Sequence, residues 1–272
     1  MIQNGNKQAF LIVTQQISKH ALKLYDKIKK ATAGLGDVFI LYHIKQNSNP
    51  ALPAGVNVET FTNGVLKDLG YKAIRTKLVP GSNHFPVLQF FLKHGEYSHY
   101  WCIEDDVAFN GKWDDFFNNI PAGADYDFIS SHIRQYSDMP DWFWWDSYRE
   151  PGKDFNSDIL LNSFNPIYRI SNKALEFIDS RLKQGFRGHH EVLLPTLLRQ
   201  GGFKIADLSS EVNHITPTLS FCTLGTMRWK PVFFVMGNRK NTLYHPVKAN
   251  ITYSQVKEYI ERTLSKKTKY FT

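Results

Sequence analysis

Three consecutive carboxylates, Glu104-Asp105-Asp106, follow directly on the apolar and aromatic run Tyr100-Trp101-Cys102-Ile103. Like charges held that close are costly to bury unless a cation or a proton offsets them. Acids at the end of a buried strand therefore mark a crevice able to hold a divalent ion. Along a strand, residues two apart share a face about 6.6–6.8 Å from one another. Glu104 and Asp106 are expected on one face and Asp105 on the other. That gap is too wide for both to grip one ion at ~2.1 Å per bond unless the strand turns. The expected arrangement has Asp106 as direct ligand, Glu104 deeper on a ligand hydroxyl or metal-bound water, and Asp105 facing away. A solvated turn after a strand would carry the same residues with no such role.

The elements around the acids follow from pattern. Ala9-Phe10-Leu11-Ile12-Val13-Thr14 is apolar on both faces, as a buried strand requires. Leu22, Tyr25 and Ile28 recur at helical spacing between about Ile17 and Ala33, where Gly34 and Gly36 end the helix. Asp37–His43 and Val56–Thr60 are the next strands, so the chain opens as a βαβ unit with a parallel sheet. A helix after Gly81-Ser82-Asn83 leads into the acidic strand, Lys112–Asn119 is a short helix closed by Pro121, and Tyr126–Ser130 and Asn165–Ile170 are strands. Ser171 caps a helix ending at Gly185, and another helix runs from His189-His190-Glu191 to Gly201-Gly202. Phe203–Asp207 is a strand. Thr252 and Gln255 open a C-terminal helix, about 251–272, with a basic tail at Lys266-Lys267-Thr268-Lys269. The pattern breaks at 137–162, with an aromatic density in Trp142-Phe143-Trp144-Trp145 that no loop needs, and a long irregular region with turn signals follows Asp207.

Composition narrows the classes. The 272 residues carry 33 Lys+Arg against 25 Asp+Glu, a formal charge of +8 that favours anionic partners. Aromatic residues make up 14% of the chain, which suits a large core or a surface that stacks on rings. Cys102 and Cys222 cannot make a disulfide framework, so a reducing compartment is expected. No signal peptide or membrane span is apparent, and a cytoplasmic protein is expected, with contact at the inner face of an anionic membrane through the basic tail as a minor reading. Walker A, G-x-G-x-x-G, H-E-x-x-H and G-x-S-x-G motifs are absent. No repeat or linker interrupts the chain, so one domain is expected over 1–272.

Glu104-Asp105-Asp106, about a hundred residues in and followed by Gly111-Lys112-Trp113, resembles the acidic D-x-D motif of nucleotide-sugar-dependent glycosyltransferases of the GT-A type. Gly188-His189-His190-Glu191, opening a helix on the acceptor side, is similar to the place where inverting members keep their catalytic base. Tyr244-His245-Pro246-Val247-Lys248 resembles the returning segment that supplies a metal-binding histidine and a diphosphate-binding lysine. The similarity covers roughly residues 9 to 248, and departs at the first acid, a glutamate in place of the more usual aspartate.

The resemblance implies a Rossmann-like α/β/α sandwich with a mostly parallel central sheet, a donor half at about 1–110 and an acceptor half at about 111–248. It implies a metal-dependent sugar transfer, in polysaccharide biosynthesis, from a nucleotide diphosphate sugar (a UDP-sugar foremost) to a saccharide or lipid-linked acceptor. Asp106 and His245 would hold Mn²⁺ or Mg²⁺, and Lys248 would neutralise the departing diphosphate, with Arg239 beside it in a metal-free variant. Glu191 would take the acceptor proton, its ionised form favoured by the helix N-terminus. Donor contacts fall on Thr14, Gln15, Lys77, Asn83, Glu104 and Asp105. Acceptor contacts fall on Trp142, Trp144 and Trp145 as a platform, with His189 and His190 orienting it and Asp141, Asp146 and Arg149 flanking. The same acids would also serve a nucleotidyltransferase or metal-dependent phosphoesterase, although a two-metal site wants more converging acids. From a different class, the charge and aromatics would suit a polyanion or single-stranded nucleic-acid binder. Its basic residues are scattered, however, and no nucleic acid is expected.

Overall fold

Ala9, Phe10, Leu11 and Ile12 are completely buried because β1 (Gln8–Thr14) lies between two parallel neighbours and needs apolar side chains on both faces. This computed structural model describes residues 7–45, 51–120, 126–211 and 214–248, together with 253, 256 and 257. The Ser18 hydroxyl accepts from the Ala21 N–H at 3.1 Å and starts α1 (Lys19–Ala31), which buries Leu24, Tyr25 and Ile28. Next come β2 (Gly36–His43), β3 (Val58–Phe61) and the single turn α2 (Val65–Asp68). A tight turn at Pro80–Ser82 runs into α3 (His84–Lys93), and β4 (His99–Glu104) follows.

Beyond the acids lie β5 (Ala108–Asn110), α4 (Trp113–Asn119), β6 (Phe128–Gln135) and β7 (Leu161–Ser171). Ser171 caps α5 (Asn172–Lys183) as expected, its hydroxyl accepting from Ala174 N–H at 3.3 Å. Then come α6 (His190–Gln200), β8 (Ile205–Ser209), β9 (Thr218–Cys222) and β10 (Thr242–Tyr244).

Eight strands form one sheet in the order β3-β2-β1-β4-β7-β6-β8-β9. Only β7 runs antiparallel to its neighbours; the other described pairings in this sheet are parallel. The strand alternation of β1 sends Ala9 and Leu11 to one core, roofed by α3, α5 and α6, and Phe10 and Ile12 to another, roofed by α1 and α4. The fold is thus a mostly parallel α/β sandwich with helices on both faces, as the alternating pattern predicts. β10 stands outside the sheet, paired antiparallel with β5, Tyr244 opposite Ala108.

The polar residues of β6 and β8 explain a local irregularity. His132 has a left-handed backbone (φ 53°), and its N–H donates to Asp207 Oδ1 at 2.9 Å. Ile133 N–H donates to Asp207 Oδ2 at 2.8 Å, and Ser209 N–H to Oδ1 at 2.7 Å. One buried carboxylate thereby replaces ladder bonds lost where the β6–β7 register shifts. The expected C-terminal helix and its basic tail lie outside the described residues except for Tyr253, Val256 and Lys257, which are helical. Pro121 also lies outside them. No helix among the described residues is long and apolar enough to cross a membrane.

Candidate active site

β4 stops at Glu104, and the chain turns at once, with the Val107 N–H donating to the Glu104 carbonyl at 3.1 Å. This corrects the expected strand geometry. Instead of lying too far apart for one ion, Glu104 and Asp106 each offer an oxygen within 4.8 Å of the other and of a His245 nitrogen. His245 arrives because β10 is zipped to β5, immediately after the acids. Past β10, the Val247 N–H donates to the Asp106 carbonyl at 2.8 Å and the His245 N–H to the Thr226 carbonyl at 2.9 Å. His245 Nε2 stands 3.2 Å from Glu104 Oε2 and 3.3 Å from Asp106 Oδ1, and the Lys248 ammonium donates to Asp106 Oδ2.

The donor set fits a divalent cation. His245 Nδ1 lies 2.9 Å from the Arg228 carbonyl, which can only accept, so Nδ1 carries the proton. The neutral ring then turns a bare Nε2 towards two carboxylates, as a metal-ligating imidazole does. Two carboxylate oxygens and one imidazole suit Mn²⁺, with Mg²⁺ less at ease with nitrogen. Without a cation a proton takes its place. Burial pushes the His245 pKa down, but hydrogen bonds and charge from Asp106 and Glu104 outweigh it and lift the value to about 10. Burial would raise the Asp106 carboxyl, yet His245 and Lys248 hold it well below the usual carboxylate range. Proton and cation compete for the same nitrogen.

Asp105 stands outside the Glu104–Asp106–His245 group. It accepts from the Thr14 hydroxyl at 2.5 Å, and burial raises its pKa despite that bond. Thr14 is buried, and its hydroxyl is also 2.9 Å from the Gln16 carbonyl. Thr14 and Asp105, both expected to touch a donor, are bonded to each other and fasten the end of β1 to the acidic turn. Gln15, next to them, is exposed. Asn83 Nδ2 donates to Glu104 Oε1 at 3.0 Å and joins the acidic cluster, whereas Lys77 lies exposed on the approach to α3.

On the other side of the crevice, His189 caps α6, its Nδ1 accepting from the Glu191 N–H at 3.3 Å. Gly81 packs so tightly here that a Cβ would sit 2.0 Å from His189 Cδ2. His189 and His190 are buried, which corrects their expected role of orienting an acceptor directly. Burial pushes His84 and His189 down to about 3 and His190 well below its ordinary value, so all three rings are neutral. Glu191 is 15% exposed at its side chain, and its Oε1 accepts from the Asn165 N–H at 3.3 Å. The helix start was expected to favour its charge. Burial wins instead and pushes its pKa up to about 8, against the Asn165 bond and with help from the charge on Glu104. Glu104 and His245 lie near enough for their charges to act on it.

The aromatic strap divides. Trp145 is buried and its Nε1 donates to the Met139 carbonyl at 2.9 Å; it is a core residue, which corrects its place in the platform. Trp144 lies against the His189 ring at 4.6 Å and Trp142 meets it edge-on at 5.9 Å, both half-buried. Asn165 was not foreseen. It binds Glu191 through its backbone, donates from Nδ2 to the His190 carbonyl at 3.3 Å, and accepts the Ser130 and Ser163 hydroxyls at 2.6 Å each. Three polar residues among the four of Asn162-Ser163-Phe164-Asn165, at the head of a strand, were the available signal.

No protein-family model matches the chain, and no curated protein matches it. Among solved structures it is similar to a glycosyltransferase involved in the glycosylation of the major capsid of PBCV-1, at 12% identity and a TM-score of 0.31 over 64% of this chain and 66% of that one. It is also similar to the galactosyltransferase LgtC in complex with donor and acceptor sugar analogs, at 12% identity and a TM-score of 0.36 over 70% of each chain. The chain spans just under two thirds of the length of the first of these. Likeness this distant leaves function to the residues in the crevice.

Proposed function

We propose that the protein is a GT-A type glycosyltransferase that moves a sugar from a nucleotide diphosphate sugar, a UDP-sugar foremost, to a hydroxyl of a saccharide or lipid-linked acceptor. The observation that carries this reading is convergence. Glu104, Asp106, His245 and Lys248 meet at the carboxyl end of parallel strands, and Glu191, at the start of α6, is near enough to feel the charges of Glu104 and His245. An anionic leaving group and a proton acceptor are thus provided for on opposite sides of one crevice.

Glu104, Asp106 and His245 would hold the divalent cation, which when bound neutralises charge on a diphosphate. Lys248 adds a fixed positive charge at the same place and draws its partner from Asp106 to the phosphate oxygens. Asn83 holds Glu104 in position. Glu191 accepts the proton of the acceptor hydroxyl as that oxygen bonds to the anomeric carbon and the bond to the diphosphate breaks, a single displacement that inverts the centre. With a pKa near 8 only its ionised fraction can act, as a stronger base than an exposed glutamate, so turnover should rise with pH up to about 8. Trp144, with Trp142 beside it, offers ring faces to the C–H surface of a sugar next to Glu191.

Thermal unfolding in the presence of nucleotide diphosphates and their sugar conjugates, with and without Mn²⁺, tests this directly. Stabilisation by a diphosphate sugar that is enhanced by Mn²⁺ supports the reading. A preference for triphosphates would point to nucleotidyl transfer, and indifference to every nucleotide would remove the enzyme assignment.

A further inference from the structure

No Asp or Glu occurs between Glu211 and Glu258, while Arg228, Lys230, Arg239, Lys240, Lys248 and Lys257 all fall in that stretch. Within it the loop between β9 and β10 turns large apolar side chains outward. Trp229 is 67% exposed and Val235 80%, and Leu224 and Met236 are exposed as well. The exposure is built, because the base of the loop is fastened. Asn110 Nδ2 donates to the Gly237 carbonyl at 2.9 Å, Arg239 N–H to the Tyr244 hydroxyl at 3.0 Å, and Phe233 N–H to the Pro246 carbonyl at 2.8 Å. Phe233 packs edge-on to Tyr244 at 5.3 Å, and the Arg228 guanidinium covers Phe233 at 4.0 Å. The Lys230 ammonium lies 5.2 Å from the Trp229 ring centre, and Arg239 and Lys240 are exposed beside Met236.

An apolar tip carrying a tryptophan, with Lys230, Arg239 and Lys240 beside it and a single carboxylate, Glu211, held at its base by the Leu224 N–H at 2.8 Å, has one well-matched partner. Trp and Val gain by entering the boundary between headgroups and acyl chains, and each nearby Lys or Arg gains from a negative lipid surface. A folded protein partner would need no such one-sided charge, and a nucleic acid would not reward Val235 and Leu224.

We propose that the loop 224–240 is a docking surface for an anionic phospholipid bilayer, with Trp229 and Val235 entering the interface. It does not rest on the sugar-transfer reading. It does bear on it, since Met227 pairs with His245 and Phe233 with Val247, so the docked loop would hold the crevice rim at the membrane.

The test is sedimentation of the full chain with vesicles of phosphatidylcholine alone or of equal parts phosphatidylcholine and phosphatidylglycerol. Binding to the anionic vesicles only, lost at about 1 M NaCl where the screening length is about 3 Å, is expected. Trp229→Ser with Val235→Ser should reduce that binding about tenfold or more with an unchanged unfolding midpoint. Lys266→Gln/Lys267→Gln/Lys269→Gln should retain most of it. Equal binding by the loop variant, loss of all binding in the tail variant alone, or no vesicle binding by the wild type would each overturn the proposal. So would salt-resistant self-association abolished by the loop variant, which would make a second copy the occupant. Quenching of the Trp229 contribution by brominated lipid, read as the difference from Trp229→Phe, should locate the ring in the bilayer; no difference would count against insertion.

Discussion

Glu191 is the residue whose environment departs furthest from what its position in the chain suggests. A carboxylate in the first turn of a helix is ordinarily eased towards ionisation, yet this one is pushed up to about 8 by burial. The folded protein therefore keeps a proton that the unfolded chain has released. The stability this confers is complete below the ordinary carboxylate value and lost as pH rises through about 8. Glu191→Gln cannot titrate, so in EDTA its unfolding midpoint should gain on the wild type between about pH 5 and about pH 9. A gap that does not change with pH would contradict the burial argument. The same substitution should leave donor affinity intact and cut turnover by about 10²-fold or more, measured as sugar released from and transferred by the donor. Asp106→Asn removes a carboxylate from the Glu104–His245 group and frees Lys248. Its Mn²⁺ affinity by calorimetry should fall by more than the roughly 10- to 100-fold that losing an outer-shell partner costs.

At the scale of elements, periodicity and caps were legible and turns were not. Ser171 and the apolar runs of β1, β2 and β4 appear where pattern places them, because a buried parallel strand and a capped amphipathic helix leave signatures within a few residues. The turn after Glu104 leaves none, and it decides whether Glu104 and Asp106 are neighbours. Nor does local pattern show that β7 runs antiparallel, or that Trp145 points inward while Trp144 rests on His189; those depend on contacts made far along the chain. The two tryptophans should separate experimentally. Trp145→Ala should cost about 3–5 kcal/mol in urea unfolding through a core cavity. Trp144→Ala should leave stability nearly unchanged and raise the acceptor KM more than the donor KM. The β6–β8 junction hangs on one carboxylate that accepts three backbone N–H groups, so Asp207→Asn should cost about 2–4 kcal/mol by the same measurement.

For the molecule as a whole, the +8 charge pointed to anionic partners without saying where they bind. The fold concentrates its acid-free stretch along one rim, through β10 and the loop before it. A cation that binds only the folded chain should stabilise it by about 2.7 kcal/mol at a concentration one hundred times its Kd, raising the unfolding midpoint by about 5–10 °C. EDTA should reverse the shift, and Mn²⁺ should give more than Mg²⁺ because one ligand is an imidazole. The ion pair between Asp106 and Lys248 joins residues 142 positions apart, which has a meaning for how the protein is made. A ribosome adding about 5–20 residues per second releases the acidic turn on the order of ten seconds before the segment that completes it. During that interval the nascent chain presents Glu104, Asp105 and Asp106 without His245 or Lys248, a half-built crevice of a single sign. Synthesis therefore leaves the charge balance of the site to its last-made part, and any ribosome that stalls before β10 leaves behind acids with the neutral donors Thr14 and Asn83 but without His245 or Lys248.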